Sequence, residues 1–236
     1  MSGESGAAGV PRVGAARAPR IYDVSVTLRD GTPEWPGDTP FSCGWAASIS
    51  RGSSVNVSTI TSSPHVGTHA DSPLHVRDGW PGSHELPLEP FIGPAMVVDV
   101  TAAAEEIGMG QLDLLAAAQG VEIGRVERVL LKTGRTIAAG SFPGSWPALS
   151  ERCARELLGR GLRLLGVDAP SVDARESKEL PVHQMLFAGG AYNIENLDLR
   201  RVPPGLYELI APPQKLMALD AAPLRAVLPN AVGLPR

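Results

Sequence analysis

Three short apolar runs, AMVVDV (95–100), VERVLLKT (126–133) and LRLLGVD (162–168), constrain the fold of this 236-residue chain more than any other feature. They are rich in Val and Leu, a pattern that suits strands buried in the interior of a sheet. Between them lie QLDLLAAAQ (111–119) and PALSERCARELLGR (147–160), both compatible with helices; Pro147 suits a first turn and Gly161 follows the last. IYDVSVTL (21–28) and VNVSTIT (55–61) alternate apolar and polar residues as strands do, and LYELIA (206–211) and KLMALDAAPLRAVL (215–228) add late strands. GTPEWPGDTP (31–40) is a Pro- and Gly-broken loop. Mixed strands with only two or three helices point to a compact α/β or α+β domain.

A chain of this length can bury one substantial core, and a single domain over residues 21–236 is expected. The first twenty residues are rich in Gly, Ala, Pro and Arg without an apolar stretch, and read as a disordered tail rather than a secretion signal. With 43% hydrophobic and 19% charged residues the rest has the composition of a globular protein. A net charge of −4 argues against nucleic-acid binding, because phosphate recognition needs a basic face. No run approaches the roughly 18 apolar residues of a membrane span. Cys43 and Cys153 lie far apart and form no CxxC pair, so a reduced, cytoplasmic setting is the default.

HVGTHADSPLH (65–75) holds three of the five histidines. His65, His69 and Asp71 combine two imidazoles with a carboxylate, a donor set that suits zinc, manganese or iron. An extended strand would put positions 65, 69, 71 and 75 on one face but spread them over about 33 Å. A helix would join His65 to His69 and turn Asp71 away. The segment must therefore bend, and Gly67 and Pro73 allow and fix bends, so a folded loop at a strand end is the expected host.

The same eleven residues match the HxGTHxDxPxH signature of the metal-dependent cyclase-like hydrolases, and the chain resembles their kynurenine formamidase branch. WPGDTP (35–40), the stretch 55–75, GVDAPSVDARESK (166–178) and YELIAPPQKLMALDAAPLRAVL (207–228) carry the resemblance in order over about residues 21–229. It implies a swivelling β/β/α fold with a mixed central sheet, and a homodimer. It implies metal binding by His65, His69 and Asp71, with Asp71 bridging to a second site made by His183 and Glu195, and an acid/base role for His75. One or two divalent ions per subunit are expected, zinc first and manganese second.

The activity so implied is hydrolysis of N-formyl-L-kynurenine to L-kynurenine and formate in tryptophan degradation. The alternative is a related cyclic-amide (isatin-type) hydrolase or a cyclase of secondary metabolism. The stretch ELPVHQMLFAGGAYNIENLDL (179–199) departs from the formamidase pattern: Gln184 stands where a second adjacent histidine is common, and Gly189 and Gly190 precede Tyr192. That change keeps the ligand positions and bears on the pocket. Trp35 is a candidate to stack on an aromatic substrate or to anchor its own loop. Asp168 either faces the site or caps the turn after its strand, and His84 reads as a surface residue.

Overall fold

The three apolar runs lie side by side in the computed structural model, which describes residues 20–103, 105–124 and 127–230. In chain order the elements are β1 (Ile21–Asp23), β2 (Ser42–Ala47), β3 (Val57–Thr61), β4 (His69–Asp71), β5 (Ile92–Asp99), β6 (Glu106–Ile107), α1 (Met109–Ala118), β7 (Arg128–Lys132), β8 (Ala148–Leu149), α2 (Glu151–Gly159), β9 (Leu164–Val167), α3 (Pro181–Ala188), β10 (Tyr192–Ile194), β11 (Gly205–Ile210), β12 (Ala221–Pro223) and β13 (Val227–Pro229). Seven strands form one mixed sheet in the order β1, β13, β11, β5, β7, β9, β10. The four from β5 to β10 are parallel, with Val129 opposite both Met96 and Leu165. β11, β13 and β1 continue antiparallel from β5. The fold is thus α/β with a mixed central sheet and few helices, as expected.

Successive side chains on β5 and β7 go to opposite faces and build two cores. Met96, Val98, Val129 and Leu131 pack with Leu112, Leu157, Val182 and Leu186 of the helices. Ala95, Val97 and Leu130 face Leu164, Ile194, Leu197 and Leu209. Each fully buried Leu here contributes about 1.5–3 kcal/mol. The rigid sheet they stabilise positions two loops at the carboxyl ends of β9 and β10, where open parallel sheets commonly bind ligands.

Several local expectations are corrected. The second helix begins at Glu151, not near Pro147: Ala148–Leu149 pair in parallel with Glu106–Ile107, and Ser150 Oγ then caps α2 by accepting the Cys153 N–H at 3.1 Å. Only the first three residues of 21–28 form a strand, because the chain is drawn off towards the histidine motif, where Val26 N–H donates to Thr68 Oγ1 at 2.9 Å. The segment 215–228 gives two separate strands, one on β4 and one in the main sheet. Residues 1–19 of the expected N-terminal tail lie outside the described residues.

Candidate metal centre

HVGTHADSPLH folds as a bend, a short strand and a turn. Gly67 adopts φ +79°, and a Cβ there would meet Leu28 Cδ2 at 2.4 Å, so both backbone and space require glycine. The Gly67 carbonyl lies 2.9 Å from His69 Nδ1, which leaves His69 Nε2 to face the centre. His69, Ala70 and Asp71 then form β4, paired with Pro223, Ala222 and Ala221. Strand alternation puts Ala70 in the core while His69 and Asp71 share the other side. A bridge between His69 and Glu195 ties β4 to the end of β10. Pro73 opens a tight helical turn that ends at His75, and Ser72 fastens the turn by donating to the carbonyl of Asp220 at 3.0 Å.

Two groups of donor atoms meet at Asp71. On one side His65 Nδ1, His69 Nε2 and Asp71 Oδ1 stand 3.0, 3.1 and 3.2 Å apart. On the other, His183 Nε2 is 3.1 Å from both Asp71 Oδ2 and Glu195 Oε1. Such separations suit ligand atoms about 2.0–2.2 Å from a common small cation. Asp71 is fully buried, and its Oδ1 accepts no hydrogen bond although two imidazole nitrogens face it. A buried carboxylate oxygen so placed is stabilised either by protons on the rings that face it or by a cation that replaces those protons, so these residues fit a divalent metal.

The protonation pattern agrees. Burial opposes charge on His65, yet Asp220 and Asp71 outweigh it and push its pKa up to about 10. His183 is held well above the ordinary imidazole value: burial again opposes, and Asp173, Asp71 and Glu195 prevail. Against burial, His69, His183 and His65 hold Asp71 well below the usual carboxylate range. A cation must displace protons from His65 and His183, so loading is favoured as pH rises.

A cavity of about 380 Å³ opens over these donors, lined among others by His75, Trp35, Phe142, Leu180 and Lys178. Trp35 meets Phe142 and Trp146 edge to face with ring centroids 5.5 and 5.9 Å away, so it both anchors its loop and walls the cavity. The His75 ring lies 4.4 Å from that of His65, and its Nδ1 is 3.5 Å from Asp220 Oδ2. Asp220 also pairs with His65 Nε2 at 2.9 Å.

All six residues expected in the centre therefore converge, and Trp35 joins them at the cavity. Three more escaped the sequence reading: Asp220, Asp173, whose Oδ2 lies 2.6 Å from His183 Nδ1, and Asn193, 2.6 Å from Asp71 Oδ2. None carries a spacing signal. Asp168 does not face the site; it accepts the Thr133 and Gly134 N–H groups and caps the turn after β7. His84 is half-buried rather than superficial, because its Nδ1 accepts the N–H of Ala218, a left-handed residue two before Asp220. Among the described residues the positive-φ non-glycines are Leu180, Asn196 and Ala218, each within three residues of His183, Glu195 or Asp220. Backbone strain is thus gathered at this site. Gln184, by contrast, points outward and donates to the Glu179 carbonyl, and neither Gly189 nor Gly190 lines the cavity.

Comparison with known proteins identifies the family. The Cyclase family model, described as "Putative cyclase", matches residues 22–174. The kynurenine formamidase of Salinibacter ruber is 41% identical over 216 residues, 89% of this chain and 98% of that protein. A solved structure described as a predicted metal-dependent hydrolase from Bacillus stearothermophilus is 30% identical with a TM-score of 0.74, covering 91% of this chain and all 100% of its own. Isatin hydrolase A from Ralstonia solanacearum has a TM-score of 0.74 at 22% identity, covering 90% of this chain and 92% of that one, a likeness of fold alone.

Proposed function

The chain belongs to the cyclase family of metal-dependent hydrolases, and we propose that it is an arylformamidase cleaving N-formyl-L-kynurenine to L-kynurenine and formate in tryptophan breakdown. The observation that carries this reading is His75 standing beside a cluster of metal-ligand side chains at a cavity walled by Trp35 and Phe142. His65, His69 and Asp71 would hold one ion, and Asp71, His183 and Glu195 a second. Zinc is the proposed metal and manganese the alternative, since His and carboxylate donors accept both. A divalent cation there would lower the pKa of a water to roughly 7 and stabilise negative charge growing on the formyl oxygen.

The protein's own groups do the rest. His75 turns Nδ1 to Asp220, which leaves Nε2 to take a proton from the attacking water and return it to the anilide nitrogen as the C–N bond breaks. The products are the free aniline and formate. Trp35 and Phe142 meet the substrate ring, and Lys178, Glu34 and Asp38 bring both signs of charge to its amino-acid end. The departures at Gln184, Gly189 and Gly190, which would favour a cyclic amide or a ring closure, lie away from the cavity.

One face of the β2–β3 hairpin exposes Trp45 and Ile60, an apolar surface that suits a homodimer, which sedimentation of the purified chain checks. Free Cys43 and Cys153 fit a cytoplasmic setting, and among the described residues no helix is long and apolar enough to cross a membrane. Formate release by metal-stripped protein, reloaded with zinc or manganese, tests the activity. Metal-dependent turnover with kcat/KM of about 10⁴ M⁻¹s⁻¹ or more is expected, lost in His75→Ala with metal content intact. No turnover from folded, metal-loaded protein would sink the substrate assignment.

A further inference from the structure

We propose that the carboxamide oxygen of Asn193 is a protein ligand of the second metal, closing that half of the centre together with Asp71, His183 and Glu195. The inference rests on the metal-centre part of the proposed function and is independent of the substrate. Asn193 lies on β10 two residues before Glu195, so strand alternation sends both side chains to the same side. It is fully buried.

One end of its carboxamide sits among the donors. Nδ2 is 2.6 Å from Asp71 Oδ2, 3.2 Å from Glu195 Oε1 and 3.3 Å from His183 Nε2, while His183 Nε2 is 3.1 Å from each of the two carboxylate oxygens. The amide terminus therefore sits within 2.6–3.3 Å of three ligand-type atoms. Four of the five spacings, 3.1–3.3 Å, are those between ligands of a four-coordinate ion with bonds of about 2 Å, and the fifth, 2.6 Å to Asp71 Oδ2, is a hydrogen-bond contact. The other end, Oδ1, is buried and accepts no hydrogen bond.

The two ends of a carboxamide have the same shape, so their partners decide which way it turns. Facing two carboxylates with no cation between them, the NH₂ end is preferred. Facing a cation held by those carboxylates, the oxygen is preferred, because an amide nitrogen has no lone pair to give. Turning over breaks no hydrogen bond at the far end, where Oδ1 has no partner, and the cost of carrying the NH₂ group into that buried position is what the bond from the oxygen to the cation must outweigh. The second half then offers three oxygens and one nitrogen, a harder set than the two imidazoles and one carboxylate of the first. Manganese should accordingly compete better with zinc in the second half than in the first.

The test is calorimetric titration of the metal-free full-length protein with Mn²⁺, with bound metal counted, in wild type and Asn193→Leu, an apolar replacement of similar size. Two equivalents are expected in wild type. In Asn193→Leu the second should weaken at least tenfold while the first stays within a fewfold. Two equivalents of unchanged affinity in Asn193→Leu overturn the proposal, as does one in wild type rising to two in the variant, which would mean that the amide nitrogen occupies the second ion's place. Wild-type protein that binds no divalent ion overturns the metal centre itself, a failure visible before Asn193 is touched. Should Asn193→Leu not fold, anomalous diffraction from manganese-loaded wild type reads the same question: an ion within about 2.3 Å of Asn193 Oδ1 supports the proposal, and one beyond about 3 Å overturns it.

Discussion

The two halves of the centre share Asp71 and are built in opposite ways. His65 and His69 come from a contiguous bend, and the His65 side chain remains 16% exposed at the cavity. His183 comes from α3, Asn193 from β10 and Glu195 from the position just after it, with side chains 5% exposed or less, and they are backed by buried Asp173. Both halves border the cavity, the first through His65 and His69 and the second through His183 and Glu195, but only His65 leaves appreciable side-chain surface there, so the first half is the more open of the two.

Asp71→Asn attacks both halves at once and should have the largest effect. One oxygen of Asp71 faces His65 and His69, the other faces His183 and Asn193, and an amide cannot present two anionic oxygens. Turnover is expected to fall at least about a thousandfold, as for loss of a main electrostatic element, with metal content below one equivalent. A variant that kept one full equivalent would show the halves to be independent and end the shared-ligand description.

The next contrast is between the residues behind the ligands. Asp173 lies 2.6 Å from His183 Nδ1, and Asp220 lies 2.9 Å from His65 Nε2. Replacing either by Asn should weaken metal binding in its own half by about 10–100-fold, the usual cost of losing such a partner. Asp220 also faces His75, so with metal restored to saturation Asp220→Asn should retain a lower kcat while Asp173→Asn recovers. Equal recovery of kcat in both would separate Asp220 from proton transfer.

How much of this was legible in the sequence follows the same division. The first half was readable because its donors sit within seven residues, with bend-forming Gly67 among them, Pro73 two residues beyond, and no regular element able to gather all of them. The sheet interior was readable because Val- and Leu-rich runs declare burial on both faces. Asp220 was not, since it reaches His65 across 155 positions through the pairing of β12 with β4. Asp173 and Asn193 were hidden likewise: they acquire their partners only when β9 and β10 lie parallel and α3 packs beside them. The helix α3 gave little warning, having eight residues, most of them apolar, and a start behind the left-handed Leu180. The late start of α2 depended on β8, a two-residue strand whose partner lies some forty residues earlier.

The smallest expected effect lies at the mouth of the open half. Lys178 is exposed and lines the cavity, so it is placed to meet the carboxylate of an amino-acid substrate but not to touch the reacting carbon. A solvent-screened charge pair is worth about 0.2–1 kcal/mol, which corresponds to a rise in KM of about fivefold at most. Lys178→Ala should therefore raise KM for N-formyl-L-kynurenine modestly, leave kcat unchanged, and leave both constants unchanged for N-formylaniline, which lacks the amino-acid end. An equal change for both substrates would place Lys178 in the shape of the cavity rather than in recognition. No change for either would mean that the substrate reaches the open half without meeting this rim, and the amino-acid end would then have to be sought against Glu34 and Asp38.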